Sequence, residues 1–303
     1  MSDSELRSGL VIRAQSGFFE VETEAGPLTA KLRGRLKEER QATDIVALGD
    51  RVEVMDLGDG TGVIYEVRER ERVLSRQAPE RDREQIIIAN PDQAVFVFAC
   101  DDPPFNPRML DRYLVAAERE YIPVRICGNK VDLVQGDAIR EQFELYQDIG
   151  YPVHFTSALT GEGVDELRQQ LVDRVSVFAG PSGVGKTSLL NAIQPDLALR
   201  TGEVRQVTRK GKHTTVSLKL VPLAGGGYVA DTPGMKAFAL WDIEPEELDA
   251  YFVEIRPLVS GCAFSDCSHL HEPGCAVIQA VEDGEIHPQR YDSYRRMRAG
   301  EGV

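Results

Sequence analysis

Residues 178–189, FAGPSGVGKTSL, decide the fold of this chain. Within them, GPSGVGKT at 180–187 satisfies the pattern G-x-x-x-x-G-K-[ST] of a phosphate-binding loop. The preceding RVSVFA is strand-like and the following SLLNAI is helical, which is the context that the motif requires. Backbone N–H groups of such a loop turn towards phosphates, and the dipole of the next helix favours negative charge. The residues predicted to bind nucleotide here are Gly180, Pro181, Ser182, Gly183, Val184, Gly185, Lys186, Thr187 and Ser188.

Two side chains of this loop have specific predicted roles in nucleotide hydrolysis. Lys186 is predicted to contact the β- and γ-phosphates, and Thr187 to offer its hydroxyl to Mg²⁺. Downstream, DTPG follows the strand-like segment GGYVA. Its Asp231 can hold Mg²⁺ through water, and the Gly234 amide can meet the γ-phosphate and detect its loss.

A threonine between these two motifs can supply a second hydroxyl to Mg²⁺ when the γ-phosphate is present. The segment RKGKHTTVSL at 209–218 offers both Thr214 and Thr215. The sequence does not choose between them, and both also suit a plain β-strand.

The base-recognition motif NKVD lies at 129–132, after the strand-like PVRIC. The Asp132 carboxylate can accept hydrogen bonds from the guanine ring N–H and amino group, a donor pair that adenine lacks. The alkyl chain of Lys130 can pack over the base, while Asn129 can tie neighbouring loops together. The next strand ends in TSA at 156–158, where the Ala158 amide can donate to the guanine carbonyl and Ser157 can brace the loop.

The order of these motifs is unusual, because in ordinary GTPases the base motif follows the phosphate loop. All the motifs adjoin strands of one predicted, mostly parallel sheet, and ligands bind at the carboxyl ends of such strands. The site therefore depends on which strand ends are neighbours in space. Joining the old termini and opening a new break preserves it, and such permutation is tolerated when termini lie close together.

The chain divides into three regions, and these motifs lie in the middle one. Residues 1–75 carry short strand-like runs with Gly-Asp and Asp-Gly turns, which favours an OB-fold barrel and leaves an SH3-like barrel open. The charged segment 68–85 is interpreted as a linker. Strands and helices alternate over 76–243, which indicates an α/β domain. Residues 244–303 are predicted to be helical around a cysteine cluster.

That cluster has the spacing C-x₄-C-x-H-x₅-C. Three thiolates and one imidazole suit tetrahedral Zn²⁺ with no open position, so the predicted zinc is structural, one ion per chain. The ligands are Cys262, Cys267, Cys275 and a histidine, for which His269 and His271 compete. Cys100 and Cys127 lie in apolar strands and are predicted to be buried small hydrophobic residues.

Composition limits the partners. The chain has 303 residues and a net charge of −14, which argues against binding nucleic acid over its whole surface. Two local basic groups remain, either contact surfaces or solvated charges: one at 200–212, the other formed by Arg290, Arg295, Arg296 and Arg298. No membrane span or signal-peptide core is visible, so we expect a cytoplasmic protein. Nothing in the sequence requires more than a monomer.

Together these segments resemble the RsgA family of circularly permuted GTPases, which act in small ribosomal subunit biogenesis. The matching stretches are NPDQAVFVFA, LDRYLVAAE, GNKVDL, TSALTGEGVDEL, GPSGVGKTSLLNAI, GKHTT and DTPGM, and the likeness covers nearly the whole chain. It implies an N-terminal OB-fold, a permuted P-loop GTPase domain and a C-terminal helical zinc domain. It also implies His269 as the fourth zinc ligand.

The resemblance implies a function as well: late maturation of the small ribosomal subunit, with binding to its rRNA and hydrolysis of GTP to GDP with Mg²⁺. Ordinary GTPases often carry a water-orienting glutamine after D-x-x-G, and Met235 stands there in this chain. The resemblance suggests His213 as a substitute, although an exposed or ribosome-contacting role is equally open. Two other functions compete: an RNA-binding scaffold with nucleotide as a fixed ligand, and an ATP-dependent kinase, which would leave Asn129 and Asp132 unexplained.

Overall fold

The computed structural model describes residues 5–34, 45–77, 84–135, 138–197, 219–231 and 243–301, with the backbone alone at residues 76, 77, 84 and 231. Within these ranges the chain forms a barrel, a hairpin, an α/β sheet and a helical C-terminal region. The sequence predictions for His213, Thr214, Thr215, Gly234, Met235 and the basic group at 200–212 lie outside them.

The N-terminal region is a closed barrel of five strands in the order β1-β2-β3-β5-β4. The strands are β1 (Leu6–Gln15), β2 (Phe18–Thr23), β3 (Gly26–Leu32), β4 (Arg51–Asp56) and β5 (Thr61–Val67). Apolar side chains alternate along them, so that Val21, Val52 and Val54 fill the interior without solvent exposure. The predicted OB-like barrel is confirmed.

An antiparallel hairpin follows, formed by β6 (Val73–Gln77) and β7 (Glu84–Ala89). The interpretation of residues 68–85 as a linker is therefore wrong for β6. Leu74 is buried beside Ile88 in the cluster that contains the sheet core, and this apolar contact holds a strand in a highly charged segment. The predicted domain boundary after residue 75 falls inside β6.

The central sheet has six strands in the order β10-β9-β8-β11-β13-β12, all parallel except the edge strand β12. They are β8 (Gln93–Ala99), β9 (Val124–Asn129), β10 (Val153–Thr156), β11 (Val175–Ala179), β12 (Leu220–Pro222) and β13 (Tyr228–Asp231). Helices α1 (Pro107–Arg119), α2 (Ala138–Asp148), α3 (Val164–Gln169) and α4 (Lys186–Ile193) connect them. Every residue of β8 is buried, as expected for a strand covered on both faces.

The strand order positions the site. After β8 the chain adds β9 and β10 on one side, and it then crosses to place β11 on the other side of β8. Such a reversal opens a crevice at the carboxyl ends of the two central strands, which is where α/β sheets bind ligands. The phosphate loop follows β11 and therefore lies at this crevice.

The C-terminal region consists of short helices packed on α1. It contains 3₁₀ helices at Pro245–Tyr251 and Arg256–Gly261, followed by α5 (Ala276–Glu282) and α6 (Pro288–Arg298). Phe252 and Tyr294 are buried in its core together with Val115 of α1. None of the helices in the described parts of the chain is long and apolar enough to cross a membrane.

Arg290 corrects one sequence prediction. The sequence groups it with Arg295, Arg296 and Arg298 as surface charge, yet its side chain is 0% exposed. Its guanidinium lies 2.6 Å from Asp111 of α1 and 2.6 Å from Glu254. Arg290 thus belongs to the interior, where it joins the C-terminal region to α1.

Candidate nucleotide and metal sites

The carboxyl ends of the parallel strands bring the separated motifs together. Asn129 ends β9 and is paired with Thr156, the last residue of β10, and with Ala99, the last residue of β8. On the other side of β8, Phe178 of β11 is paired with Asp231 at the end of β13. The base motif, the segment TSA, the phosphate loop and the segment DTPG therefore all begin at the carboxyl end of one sheet.

Asn129 joins the base motif to the phosphate loop directly. Its side-chain amide donates to the carbonyl of Val184 at 2.8 Å, and its amide oxygen accepts from the Thr156 hydroxyl at 3.0 Å. Asn129 and Thr156 are both fully buried. A buried amide that lost either partner would carry a desolvation cost. These bonds therefore fix the base motif relative to the phosphate loop and to the end of β10.

Two glycines allow the phosphate loop to approach its neighbours. At Gly185, φ is 91° and an added Cβ would lie 2.6 Å from the Asn129 amide nitrogen. At Gly180, an added Cβ would lie 2.0 Å from the carbonyl oxygen of Val97 in β8. Both positions require glycine, because the backbone conformation and the available space exclude a side chain.

Lys186 lies across the loop at the start of α4. Its ammonium donates to the carbonyls of Gly180 and Pro181 at 2.8 and 2.7 Å. Thr187 follows it in the first turn of α4 and is half-buried. A lysine ammonium beside a glycine loop and a helix N-terminus makes an environment that suits a phosphate group.

The base motif is held by bonds to backbone groups and to the Ser157 loop. Lys130 adopts a left-handed conformation with φ of 66°, and its ammonium donates to the carbonyl of Asp102. The Ser157 hydroxyl donates to an oxygen of the exposed Asp132 carboxylate and accepts from the Thr160 amide at 3.1 Å. Among the described residues Asp132 has no further hydrogen bond, so its carboxylate retains capacity for other donors.

Ala158 follows Ser157 and is half-buried on the same loop. The loop is closed by Gly163, where φ is 67° and an added Cβ would lie 1.9 Å from the Phe155 carbonyl oxygen. The backbone of Ser157 also donates to the Glu162 carbonyl at 2.9 Å. The segment after β10 is therefore a compact turn, closed by its own backbone hydrogen bonds, that places the Ser157 hydroxyl against Asp132.

Sequence reasoning missed the contribution of three neighbours. Thr156 orients Asn129, the Asp102 carbonyl holds Lys130, and Pro103 lies 3.6 Å from the position that a Cβ on Gly183 would occupy. Asp102 acts through its backbone, so its side chain gave no signal. Thr156, directly before Ser157 at a strand end, is the one that the pattern could have revealed.

The predicted zinc ligands converge in the C-terminal region. One ligand atom from each of Cys262, Cys267, His269 and Cys275 lies within 4.8 Å of the others. His269 Nδ1 is 3.5 Å from Cys262 Sγ and 3.4 Å from Cys275 Sγ, and these two sulfurs are 3.9 Å apart. Tetrahedral zinc with Zn–S bonds of about 2.3 Å separates its ligand atoms by about 3.5–3.8 Å, so the cluster fits zinc.

Neighbouring groups orient this cluster. His269 is fully buried, and its Nε2 lies 3.4 Å from the Asp249 carboxylate, which leaves Nδ1 directed at the sulfurs. Burial raises the pKa of the Cys267 thiol, and a thiol must lose its proton to become a zinc ligand. His271, the rival ligand, is exposed and lies outside the group of converging atoms.

Comparisons with known proteins agree with this geometry. A family model described as RsgA GTPase matches residues 67–241, and one described as RsgA N-terminal domain matches residues 8–64. A small ribosomal subunit biogenesis GTPase RsgA from Gemmatimonas aurantiaca is 45% identical over 96% of both chains.

Two solved structures are similar over nearly the full length. YjeQ from Thermotoga maritima has a TM-score of 0.83 at 38% identity, with 98% of each chain covered. YloQ, described as a circularly permuted GTPase, has a TM-score of 0.79 at 36% identity and covers 98% of this chain and 95% of its own. These matches and the strand order confirm the predicted permuted fold.

Proposed function

This chain belongs to the RsgA GTPase family and is therefore a GTP hydrolase, and we propose that it uses GTP hydrolysis in the late maturation of the small ribosomal subunit. The hydrogen bond between Asn129 and Val184 carries the guanine-nucleotide part of this proposal, and the similarity to small ribosomal subunit biogenesis GTPases carries the ribosomal part. This bond joins the guanine-type base motif to the phosphate loop in one site, although the chain order separates them. A phosphate loop alone would not distinguish GTP from other nucleotides.

The proposed binding mode places the base against β9 and β10. The Asp132 carboxylate accepts from the guanine ring N–H and amino group, while Ser157 holds that carboxylate in place. The stem of Lys130 covers one face of the base, and the Ala158 amide donates to the guanine carbonyl. Adenine cannot supply the two donors, and leaving Asp132 unpaired costs affinity.

The phosphates extend towards α4. We assign the binding of phosphate oxygens to the backbone of 180–188 and to Lys186. Its ammonium donates to two loop carbonyls in this structure and, in the proposed complex, donates to phosphate oxygens instead. Magnesium, when bound with GTP, would neutralise negative charge on the phosphates. Thr187 and Asp231 are the proposed residues that hold it, together with Thr214 or Thr215, and Gly234 is the proposed sensor of the γ-phosphate.

The catalytic group is proposed from the sequence alone. Met235 occupies the place of the usual water-orienting glutamine and has no group that could hold a water molecule. We retain His213, next to the two candidate threonines, as the residue that positions or deprotonates the attacking water. Both residues lie outside the described ranges.

The C-terminal cluster is the proposed structural zinc site, with Cys262, Cys267, His269 and Cys275 as ligands. The barrel and the zinc region are the proposed contact surfaces for rRNA, since both kinds of module bind RNA in other proteins. The division into domains at 1–75, 76–243 and 244–303, the monomeric state and a cytoplasmic location stay predictions.

The proposal is tested by measuring phosphate release from GTP with and without purified ribosomal subunits. We expect small subunits to stimulate turnover and large subunits to have no effect. Turnover that small subunits leave unchanged would favour a scaffold that keeps its nucleotide, and stimulation by large subunits alone would indicate a different target. Excess ATP should fail to displace labelled GDP, and displacement would contradict guanine recognition.

A further inference from the structure

The amino-terminal end of the sheet, opposite the phosphate loop, carries a second polar cluster. The register pairs Arg125 of β9 with Val95 of β8, and His154 of β10 with Cys127 of β9. Since side chains alternate between faces, Arg125 and His154 lie on the same face as Gln93, two residues before Val95. Ser176 of β11 is paired with Gln93 and shares this face.

Gln93 is a fixed acceptor in this cluster. It is 1% exposed, and its amide nitrogen donates to the Gln170 carbonyl at 2.7 Å and to the Ser176 hydroxyl at 2.9 Å. These two bonds determine the orientation of the amide and turn its oxygen towards two guanidinium groups. Arg125 Nε donates to that oxygen at 2.8 Å, and Arg174 Nη1 donates to it at 3.4 Å.

The two arginines share a neutral acceptor where a carboxylate would be the usual partner. Within the described ranges, neither Arg125 nor Arg174 forms an ion pair with Asp or Glu. Burial, followed by the charge of Arg174, lowers the pKa of Arg125. Placing two cations side by side without an anion costs free energy, which an anionic ligand would recover.

His154 completes the cluster as a neutral group. Its Nε2 lies 3.3 Å from Arg125 Nη1, and because a guanidinium can only donate, Nε2 accepts and the ring proton is on Nδ1. Burial and the Arg125 charge lower the pKa of His154, while Glu166 of α3 opposes them. The negative charge of Glu166 thus acts on the His154 ring, but Glu166 forms no ion pair with Arg125.

We propose that Arg125, Arg174 and His154 form a binding site for a phosphate group of the RNA backbone, on the side of the sheet opposite the nucleotide site. The choice of RNA rests on the proposed function, because the small ribosomal subunit presents phosphodiesters at high density. Two guanidinium forks match the geometry of phosphate oxygens better than a point charge does. The site also gives a chain of net charge −14 a local contact for a polyanion.

The test compares two double variants of equal charge. The site variant is Arg125→Gln with Arg174→Gln. The control is Arg108→Gln with Arg256→Gln, two arginines that already face carboxylates, Asp292 at 3.2 Å and Glu118 at 3.7 Å. Binding of deproteinised small-subunit RNA and of intact small subunits is measured for each protein as a function of salt concentration.

We expect the site variant to bind the RNA about tenfold more weakly at moderate salt, with the slope of log affinity against log salt reduced by about one to two. The control should keep the wild-type slope. GTP turnover without RNA should be unchanged in both, because the cluster lies at the other end of the sheet. Equal RNA affinity and slope in the site variant and the control would overturn the proposal.

Three further outcomes are distinguished. If the site variant binds intact subunits weakly but deproteinised RNA normally, its ligand is a protein carboxylate and the RNA assignment is wrong. If it fails to fold, Arg174→Gln alone, at an exposed position, replaces it and should show about half of the slope change. A wild-type protein that small subunits do not stimulate would refute the proposed function, while the RNA comparison would still test this site.

Discussion

At the scale of single residues, the nucleotide site depends on side chains whose partners are backbone groups. Asn129 donates to the Val184 carbonyl and Lys130 to the Asp102 carbonyl, so these two side chains of the base motif hold two different loops. Asp132 is the exception, because its partner is the Ser157 hydroxyl and its carboxylate is exposed. Asn129 and Lys130 therefore hold the loops of the site together, and Asp132 is the residue that we propose selects the base.

Replacing Asp132 by alanine tests that assignment. We expect GTP and GDP affinity to fall about a hundredfold, because the guanine donors lose a charged acceptor worth about 3 kcal/mol. Affinity for ATP should stay as weak as in the wild type. Displacement of a fluorescent GDP analogue measures both, with Glu141→Ala in the exposed first turn of α2 as a control for loss of an acidic residue. A variant that still prefers GTP over ATP by the wild-type ratio would contradict the role of Asp132.

Gly185 offers a second test at this scale. In Gly185→Ala the new Cβ would lie 2.6 Å from the Asn129 amide nitrogen, so the phosphate loop and the base motif must separate. We expect GTP binding to be lost or weakened by more than about tenfold, beyond the roughly 1–2 kcal/mol of strain that alanine carries at positive φ. Gly150→Ala is the matched control, since its φ is 99° and an added Cβ meets nothing within 4 Å. Equal nucleotide affinity in the two variants would show that the contact with Asn129 is dispensable.

Residues that act through side-chain chemistry could be predicted from the sequence, whereas residues that act through the backbone could not. Lys186 and the four proposed zinc ligands carry groups whose chemistry limits the roles they can have. The Asp102 carbonyl could belong to any residue type, and only the fold places it beside Lys130. Arg290 shows the converse: its charge suggested the surface, and only the buried carboxylates explain why it lies inside.

At the scale of elements, one of the proposed zinc ligands also starts a helix. The Cys275 sulfur accepts from the Ile278 amide at the N-terminus of α5, and a thiolate there is favoured by the free N–H groups of the first turn. Helix α6 contacts the same loop, because the Tyr291 hydroxyl donates to the His269 carbonyl at 2.7 Å. The ligand loop is thus connected to both C-terminal helices.

Replacing the proposed histidine ligand is expected to abolish zinc binding and unfold this region. His269→Gln should bind less than one zinc per chain, because glutamine is a poor ligand for zinc and the three sulfurs then lack their fourth partner. Hydrogen exchange over 245–298 should accelerate, while the barrel strands keep their protection. Atomic absorption and exchange measured by mass spectrometry give the two results.

His271→Gln is the matched control, since His271 is exposed two residues away and lies outside the converging group. It should retain one zinc and wild-type exchange. Loss of zinc in this variant together with retention in His269→Gln would reverse the ligand assignment.

Elements with a strong hydrophobic pattern could be predicted, and those that depend on distant contacts could not. The uninterrupted run in β8 predicts a strand with both faces covered, and every one of its residues is buried. Strand β6 lies among charged residues, and its pairing with β7 and the burial of Leu74 decide its conformation. The charge pattern describes the exposed face of such a segment and gives no information about its partner.

At the scale of the whole molecule, the C-terminal region is joined to α1 and α2 by a buried ionic network. Asp111 of α1 accepts from Arg290, from the Ser293 hydroxyl and, at 2.9 Å, from the Tyr146 hydroxyl of α2. Burial, followed by the Asp111 charge, raises the pKa of Tyr146 well above its usual value, so its hydroxyl keeps the proton that it donates. Residues far apart in the sequence thus share one desolvated cluster.

The global arrangement was predictable where it follows from strand order and unpredictable where it follows from packing. Motif spacing indicated the permuted order, because the site requires particular strand ends to be neighbours. Nothing in the spacing of Asp111, Glu254 and Arg290 indicates that they meet, since a single charge in a helix is ordinarily exposed. Their contact is a property of how α6 packs on α1.

This packing gives a prediction for stability. Arg290→Met should lower the free energy of unfolding by about 3–5 kcal/mol, because removing the guanidinium leaves Asp111 and Glu254 buried without a counter-charge. The control Arg108→Met breaks an exposed ion pair with Asp292 on the same two helices and should cost less than about 1 kcal/mol. Urea unfolding followed by circular dichroism measures both variants. If Arg290→Met is as stable as the control, water or rearranged partners must satisfy the two carboxylates, and the network does not hold the C-terminal region to α1.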